Sequence, residues 1–178
     1  MNKNYILKDG KEYSIRAGIP EDSSEMIEYI NTIAEESDNL TFGHGEFHTT
    51  IEEEQNFIQN VNKTENKLFI IAVIDGKIIG NLHFTAGNRP RIAHTGEFGV
   101  SVLKKYWGNG IALELIKYLI EWAKSGAVVT KINLRVKEDN NKAIKLYKRL
   151  GFKEEGVVTR EFCINGEYFS SYHMGLEI

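Results

Sequence analysis

Between an apolar strand and an amphipathic helix the chain carries a short turn with two glycines, Gly108 and Gly110, and this unit restricts the fold more than any other stretch. Gly96 to Val102 reads as the strand and runs directly into Lys104-Lys105-Tyr106-Trp107-Gly108-Asn109-Gly110. From Ile111, apolar residues recur at Ala112, Leu115, Ile116, Leu119, Ile120 and Ala123, one face of a helix, with Glu114, Lys117, Glu121 and Lys124 off it. A helix amino terminus leaves backbone N–H groups unpaired and partly positive, so a turn without side-chain bulk in front of it can hold phosphate oxygens. Taken alone, a Gly-x-Gly pair is more often just a tight turn. The three-glycine dinucleotide fingerprint and the Gly-Lys-Ser/Thr of phosphate-loop NTPases are both absent.

The rest of the chain alternates strands and helices. Tyr13 to Ala17 opens as a strand, and Pro20-Glu21-Asp22-Ser23 starts a helix carrying Met26, Ile27, Ile30, Ile33 and Ala34. A polar loop from Ser37 to His48 is a candidate substrate-facing segment, and Thr49 or Thr50 caps a second helix. Leu68 to Ile74 and Lys77 to Ala86 form a hairpin through Asp75-Gly76. Lys131 to Val136 is a strand, Asn140 to Leu150 a helix closed by Gly151, and Phe152 to Ile164 and Glu167 to Glu177 a final hairpin through Asn165-Gly166. The pattern predicts one α+β domain over residues 1–178: a mixed, mostly antiparallel sheet of about six or seven strands flanked by about four helices, an α/β sandwich.

Composition narrows the function classes. A formal charge of −3 and a pI near 6.0 argue against nucleic acid as a partner, because phosphate-backbone affinity needs clustered Lys and Arg. The segment Met1-Asn2-Lys3-Asn4-Tyr5 has no apolar signal core, and no run is long and apolar enough to span a bilayer, so no membrane role and a cytoplasmic location are expected. The lone Cys163 allows no intramolecular disulfide and reads as a small packed residue. His44 and His48, beside Gly43 and Gly45, do not make a metal site, and no metal is expected.

Lys105-Tyr106-Trp107-Gly108-Asn109-Gly110 resembles the acetyl-CoA-binding motif of the GNAT acetyltransferase superfamily, with Lys where Gln or Arg is commonest. Downstream, Asn140, Ala143, Tyr147 and Leu150-Gly151-Phe152 resemble the family's Asn-x-x-Ala-x-x-x-Tyr…Gly-Phe signature. Glu97 to Val102, together with the tail from Arg160 through Gly166-Glu167-Tyr168 to Met174, is similar to the branch of spermidine and ribosomal-protein N-terminal acetyltransferases. The resemblance implies a GNAT-like fold in which the strand before the turn splays from its neighbour after Val136 and the pantetheine arm inserts there like a false strand. It further implies that backbone groups of Phe98, Gly99, Val100 and Val102 pair with that arm, with an N–H around Val100 at the thioester carbonyl. Amides from Tyr106 to Ile111 would hold the pyrophosphate and Asn140 the pantetheine, although Asn140 suits a helix cap equally well.

The resemblance makes acetyl-CoA the cosubstrate and a primary amine the acceptor: a polyamine, another small amine or a protein amino terminus. It also implies direct attack with no enzyme-bound acyl group. Tyr147 is the expected proton donor to the departing thiolate. Some relatives place a Glu base at the position of Arg135, which cannot serve, so Glu97 is the substitute candidate. The same fold can bind acyl-CoA without catalysis, as a sensor or interaction module, and the chain can act as a monomer or homodimer.

Overall fold

The structure is a computed structural model describing residues 2–178. Met1, which the sequence reading groups with the amino-terminal segment, lies outside the described residues. Eight strands form one sheet: β1 (Lys3–Ile6), β2 (Glu12–Ala17), β3 (Lys67–Ile74), β4 (Lys77–Ala86), β5 (Thr95–Val102), β6 (Lys131–Lys137), β7 (Lys153–Ile164) and β8 (Glu167–Glu177). Their order is β1-β2-β3-β4-β5-β6-β8-β7, antiparallel throughout except where β5 meets β6. Four α-helices accompany them: α1 (Ser23–Glu36), α2 (Ile51–Asn62), α3 (Ile111–Ser125) and α4 (Asn141–Arg149).

The sheet therefore holds one strand more than the sequence reading gives. The addition is β1, a short edge strand whose side chains alternate half-buried and exposed. It adheres through Tyr5, which lies opposite Tyr13 in the register and stacks on it at 5.3 Å.

The run Lys67-Leu68-Phe69-Ile70-Ile71-Ala72-Val73-Ile74 is apolar on both faces because β3 is covered on both. Ile70, Ala72 and Ile74 join Ile111, Leu115 and Leu119 of α3 in one core. Phe69 and Ile71 join Met26, Ile30 and Ile33 of α1, with Ile58 and Val61 of α2, in the other. The hairpin turns follow the expected chemistry, with Asp75 at φ 49°, Gly76 at 77°, Asn165 at 51° and Gly166 at 83°.

Two features of the sheet create the cleft described next. First, β5 and β6 run parallel but pair only from Thr95–Glu97 to Lys131–Asn133, so the strands part earlier in β6 than the expected Val136. Second, β7 is an edge strand with broken register: Val158 faces Ser171 and Phe162 faces Phe169, so β7 carries two extra residues across the break, with Arg160 at φ 56°. Cys163 is exposed, not packed as the sequence reading has it, because it takes the face of β7 opposite to the buried Phe162.

Candidate active site

A cleft of about 1220 Å³ opens where β5 leaves β6. Its walls are α1 and the loop after it, the unpaired stretch of β5, the amino end of α3, the end of β6, α4, and β7 at Glu161 and Phe162. The expected site residues Glu97, Phe98, Gly99, Val100, Val102, Tyr106, Trp107, Gly108, Gly110, Ile111, Asn140 and Tyr147 all line it. Lys105 and Asn109 do not. Lys105 projects over the Tyr106 ring, and the Asn109 side chain accepts from the Lys8 N–H and donates to the Tyr106 carbonyl.

The glycine turn leaves an anion-binding helix end. Gly110 is the N-cap of α3 at φ 83° and offers no capping side chain, whereas Thr50 caps α2 and Asn140 caps α4. A Cβ added at Gly108 or Gly110 would meet nothing within 4 Å, so the surface in front of the first α3 amides is open. Trp107 is 45% exposed, and its indole N–H donates to the Val102 carbonyl at 2.7 Å, tying the turn back to the end of β5. Lys142 and Arg149 of α4 also face the cleft. An uncapped helix amino terminus, an open glycine turn and basic side chains suit a phosphate-bearing ligand.

Asn140 is a helix cap, and the capping position leaves it on the cleft wall. Its Oδ1 accepts from the Ala143 N–H at 3.3 Å as a helix cap, and the residue still lines the cleft. Tyr147 is 8% exposed, its ring set edge-on or nearly so to Phe98 and Phe152, each at 6.0 Å. Its hydroxyl has no hydrogen-bond partner among the described residues, and it faces the cleft. Burial pushes its pKa up to about 12, so the phenol is neutral across the working pH range.

Glu97 is ion-paired: Arg135 Nε donates to it at 2.9 Å. The same guanidinium donates to Glu161, whose other oxygen accepts from the Ser171 hydroxyl. The hydrogen bonds that Arg135 donates to Glu97 and Glu161 raise its pKa above the usual range. Burial works to raise Glu161, but the Ser171 hydroxyl and Arg135 outweigh it and hold the carboxyl below the ordinary range. Glu161 escapes the sequence reading because the register break that turns it inward has no glycine or proline to announce it.

Beyond Glu97, the wall holds a polar chain from the Tyr29 hydroxyl to Ser101 Oγ (2.8 Å) and on to Asn81 Oδ1 (2.6 Å). His83 lies beside it, 2.7 Å from Thr85 Oγ1, and burial with the nearby Lys67 charge lowers its pKa to about 4. The loop read as a candidate substrate-facing segment lines the cleft through Ser37 to Phe42 and Phe47. His44 pairs with Glu35 at 2.9 Å, and no cluster of three or more His, Cys, Asp or Glu suited to a metal occurs among the described residues. Likewise among the described residues, no helix is long and apolar enough to cross a membrane.

Comparison with known proteins places this geometry. A family model described as the Acetyltransferase (GNAT) family matches residues 28–152. The chain is 37% identical over 105 residues to the L-amino acid N-acetyltransferase AaaT of Escherichia coli, covering 59% of this chain and 65% of that protein. It is 28% identical over 116 residues to the spermidine N(1)-acetyltransferase of Escherichia coli, covering 65% of this chain and 61% of that one. The match thus spans somewhat less than two thirds of either relative's length. Among solved structures, an acetyltransferase of the GNAT family from Streptococcus pneumoniae superposes with a TM-score of 0.90 at 30% identity, over 93% of this chain and 99% of that one. The yncA protein of Salmonella typhimurium, solved with its cofactor acetyl-CoA, shares the fold at a TM-score of 0.80 and 16% identity, over 93% of each chain.

Proposed function

The chain belongs to the GNAT acetyltransferase family, and from that premise we propose that it transfers the acetyl group of acetyl-CoA to a primary amine by direct attack within a ternary complex. The observation that carries the reading is the uncapped amino end of α3 opening onto the gap between β5 and β6, with the unpartnered Tyr147 hydroxyl in the same cleft. Amides from Tyr106 to Ile111 hold the pyrophosphate, and Lys142 and Arg149 add charge for the remaining phosphate. Main-chain groups of Phe98 to Val102, which have no β6 partner, align the pantetheine, and Asn140 steadies it from α4. The cosubstrate supplies the thioester. The residues supply orientation and proton traffic.

The acceptor arrives as an ammonium ion and must shed a proton before attack. Glu97 takes that proton through water and passes it to solvent, with Arg135 holding the carboxylate in place. As the new C–N bond forms and the C–S bond breaks, the nitrogen releases a second proton and the sulfur gains one. The Tyr147 hydroxyl donates a hydrogen bond to the charge developing on sulfur, and the departing thiolate takes its proton from water, so the products are the amide, the free thiol and one proton released.

Titration calorimetry with acetyl-CoA, followed by thiol release with a panel of amines, tests the reading. Binding together with amine-dependent thiol release is expected. Binding with no turnover on any amine would instead make the chain an acyl-CoA-binding module, and no binding would remove the reading altogether.

A further inference from the structure

Resting on the acetyl-transfer reading above, we infer that the acceptor is an amine with an apolar body and no carboxylate beside its amino group. The inference starts from the bridge across the cleft. Arg135 on β6 joins Glu97 on β5 to Glu161 on β7, so two carboxylates share one guanidinium and the group carries a net negative charge. The Glu161 side chain is 15% exposed and fixed from a second side by Ser171. The register break in β7 delivers it there.

An ammonium ion meets a favourable field at this bridge, whereas a carboxylate next to it meets two like charges and a cation already engaged. Among the described residues, β4 and β5 add no Lys or Arg to the cleft wall beside the bridge. His83 is neutral above pH 4 through its burial, and the Tyr29 hydroxyl is committed to Ser101. Glu36, which accepts from the Lys104 N–H, and Asp38 add negative charge on the loop side. Lys137 is held on Asp139 and over the Phe169 ring, and Lys142 and Arg149 belong to α4.

A second observation marks where the amine reacts. Tyr147, more than nine-tenths buried and without a hydrogen-bond partner among the described residues, faces the same cleft. The remaining lining gives the acceptor's body its character: Ile30 and Ile33 of α1, Leu40, Phe42 and Phe47 of the loop, and Phe162 next to Glu161. Such a wall holds an apolar group better than a chain of further ammonium ions.

The test compares phenethylamine, phenylalaninamide, phenylalanine and spermidine at saturating acetyl-CoA, with rates referred to the free-amine concentration. Phenethylamine and phenylalaninamide are expected to exceed phenylalanine and spermidine in kcat/KM by about tenfold or more. The relative rates of the first two separate a simple amine from a peptide-like amino terminus as the source of the same chemistry. Phenylalanine or spermidine matching them overturns the inference.

Glu161→Gln neutralises the bridge and is expected to lower the phenethylamine-to-phenylalanine ratio about tenfold, with acetyl-CoA affinity retained. Arg135→Gln makes the bridge more negative and is expected to raise that ratio. A ratio unmoved in both folded variants removes the bridge as its cause, and if either variant fails to fold, the wild-type panel decides. Failure of acetyl-CoA binding, or of thiol release with every amine, sinks the transfer reading beneath it. Transfer that proceeds but favours phenylalanine sinks this inference alone.

Discussion

Replacing Tyr147 by Phe removes one oxygen and leaves the packing intact, so it isolates what the hydroxyl does. The ring keeps its contacts with Phe98 and Phe152, and the hydroxyl makes no hydrogen bond to a described residue that the change could break. The folded state sheds a desolvated polar group, and the melting temperature is expected to move by no more than about 2–4 °C. The catalytic effect follows from the raised pKa. A phenol at about 12 is a weaker acid than an ordinary thiol at about 8.5, so complete proton transfer to the thiolate runs uphill by roughly 3.5 units, or about 5 kcal/mol. The hydroxyl therefore acts chiefly as a hydrogen-bond donor to the developing charge on sulfur, an interaction of about 1.5–3 kcal/mol. That corresponds to a loss of about 10- to 150-fold in kcat, with the KM for acetyl-CoA within about twofold of wild type. Thiol release at saturating concentrations of both substrates measures it. A loss below about threefold refutes any role for the hydroxyl, and a loss near ten-thousandfold refutes the hydrogen-bond limit in favour of full proton transfer.

Gly110→Ala forces a side chain into a left-handed residue at φ 83°; with open space around it, the cost is conformational, about 1–2 kcal/mol, seen as a fall of about 2–8 °C in Tm alongside weaker acetyl-CoA binding by calorimetry. At Gly96, an added Cβ would press on the Thr85 carbonyl oxygen and come within 2.6 Å of the Ala86 Cα, so Gly96→Ala is expected to destabilise by about 1–3 kcal/mol in urea denaturation, a cost absent if β5 simply shifts. His83, with a folded pKa of about 4 against about 6.5 unfolded, is a base whose charged form the fold disfavours; above pH 6.5 both states are neutral, and stability drains away as pH falls from 6.5 towards 4. About 2–3 kcal/mol of acid sensitivity between pH 7 and 4.5 should therefore disappear in His83→Gln, and equal losses in the two proteins would show that another group is responsible.

Where local chemistry decides the conformation, the sequence was readable. The Asp75-Gly76 and Asn165-Gly166 turns, the stripe of α3 and the left-handed Gly151 that closes α4 all follow from side-chain size and spacing. Lys3 to Ile6 escaped because a short edge strand is defined by its neighbour, and Tyr5 gains its place only by stacking on Tyr13. The break between Val158 and Phe162 puts a positive φ on Arg160, a residue type with no preference for it, so neither the bulge nor the inward turn of Glu161 could be read from spacing. The same uncertainty of register left Cys163 on the wrong side of its strand. Glu97 was found as a carboxylate near the gap, but its tie to Arg135 depends on two strands brought together from distant parts of the chain.

The order β6-β8-β7 has a consequence for how the protein is made. β8 lies inside the sheet, so the strand synthesised before it, β7, has no seat until β8 has emerged from the ribosome and threaded between β6 and its own predecessor. At roughly 5–20 residues per second of elongation, β1 to β6 have seconds to settle while β7 waits unpaired. The wall that carries Glu161 is thus seated only after β8, and a nascent chain interrupted short of Glu167 would lack one bank of the cleft.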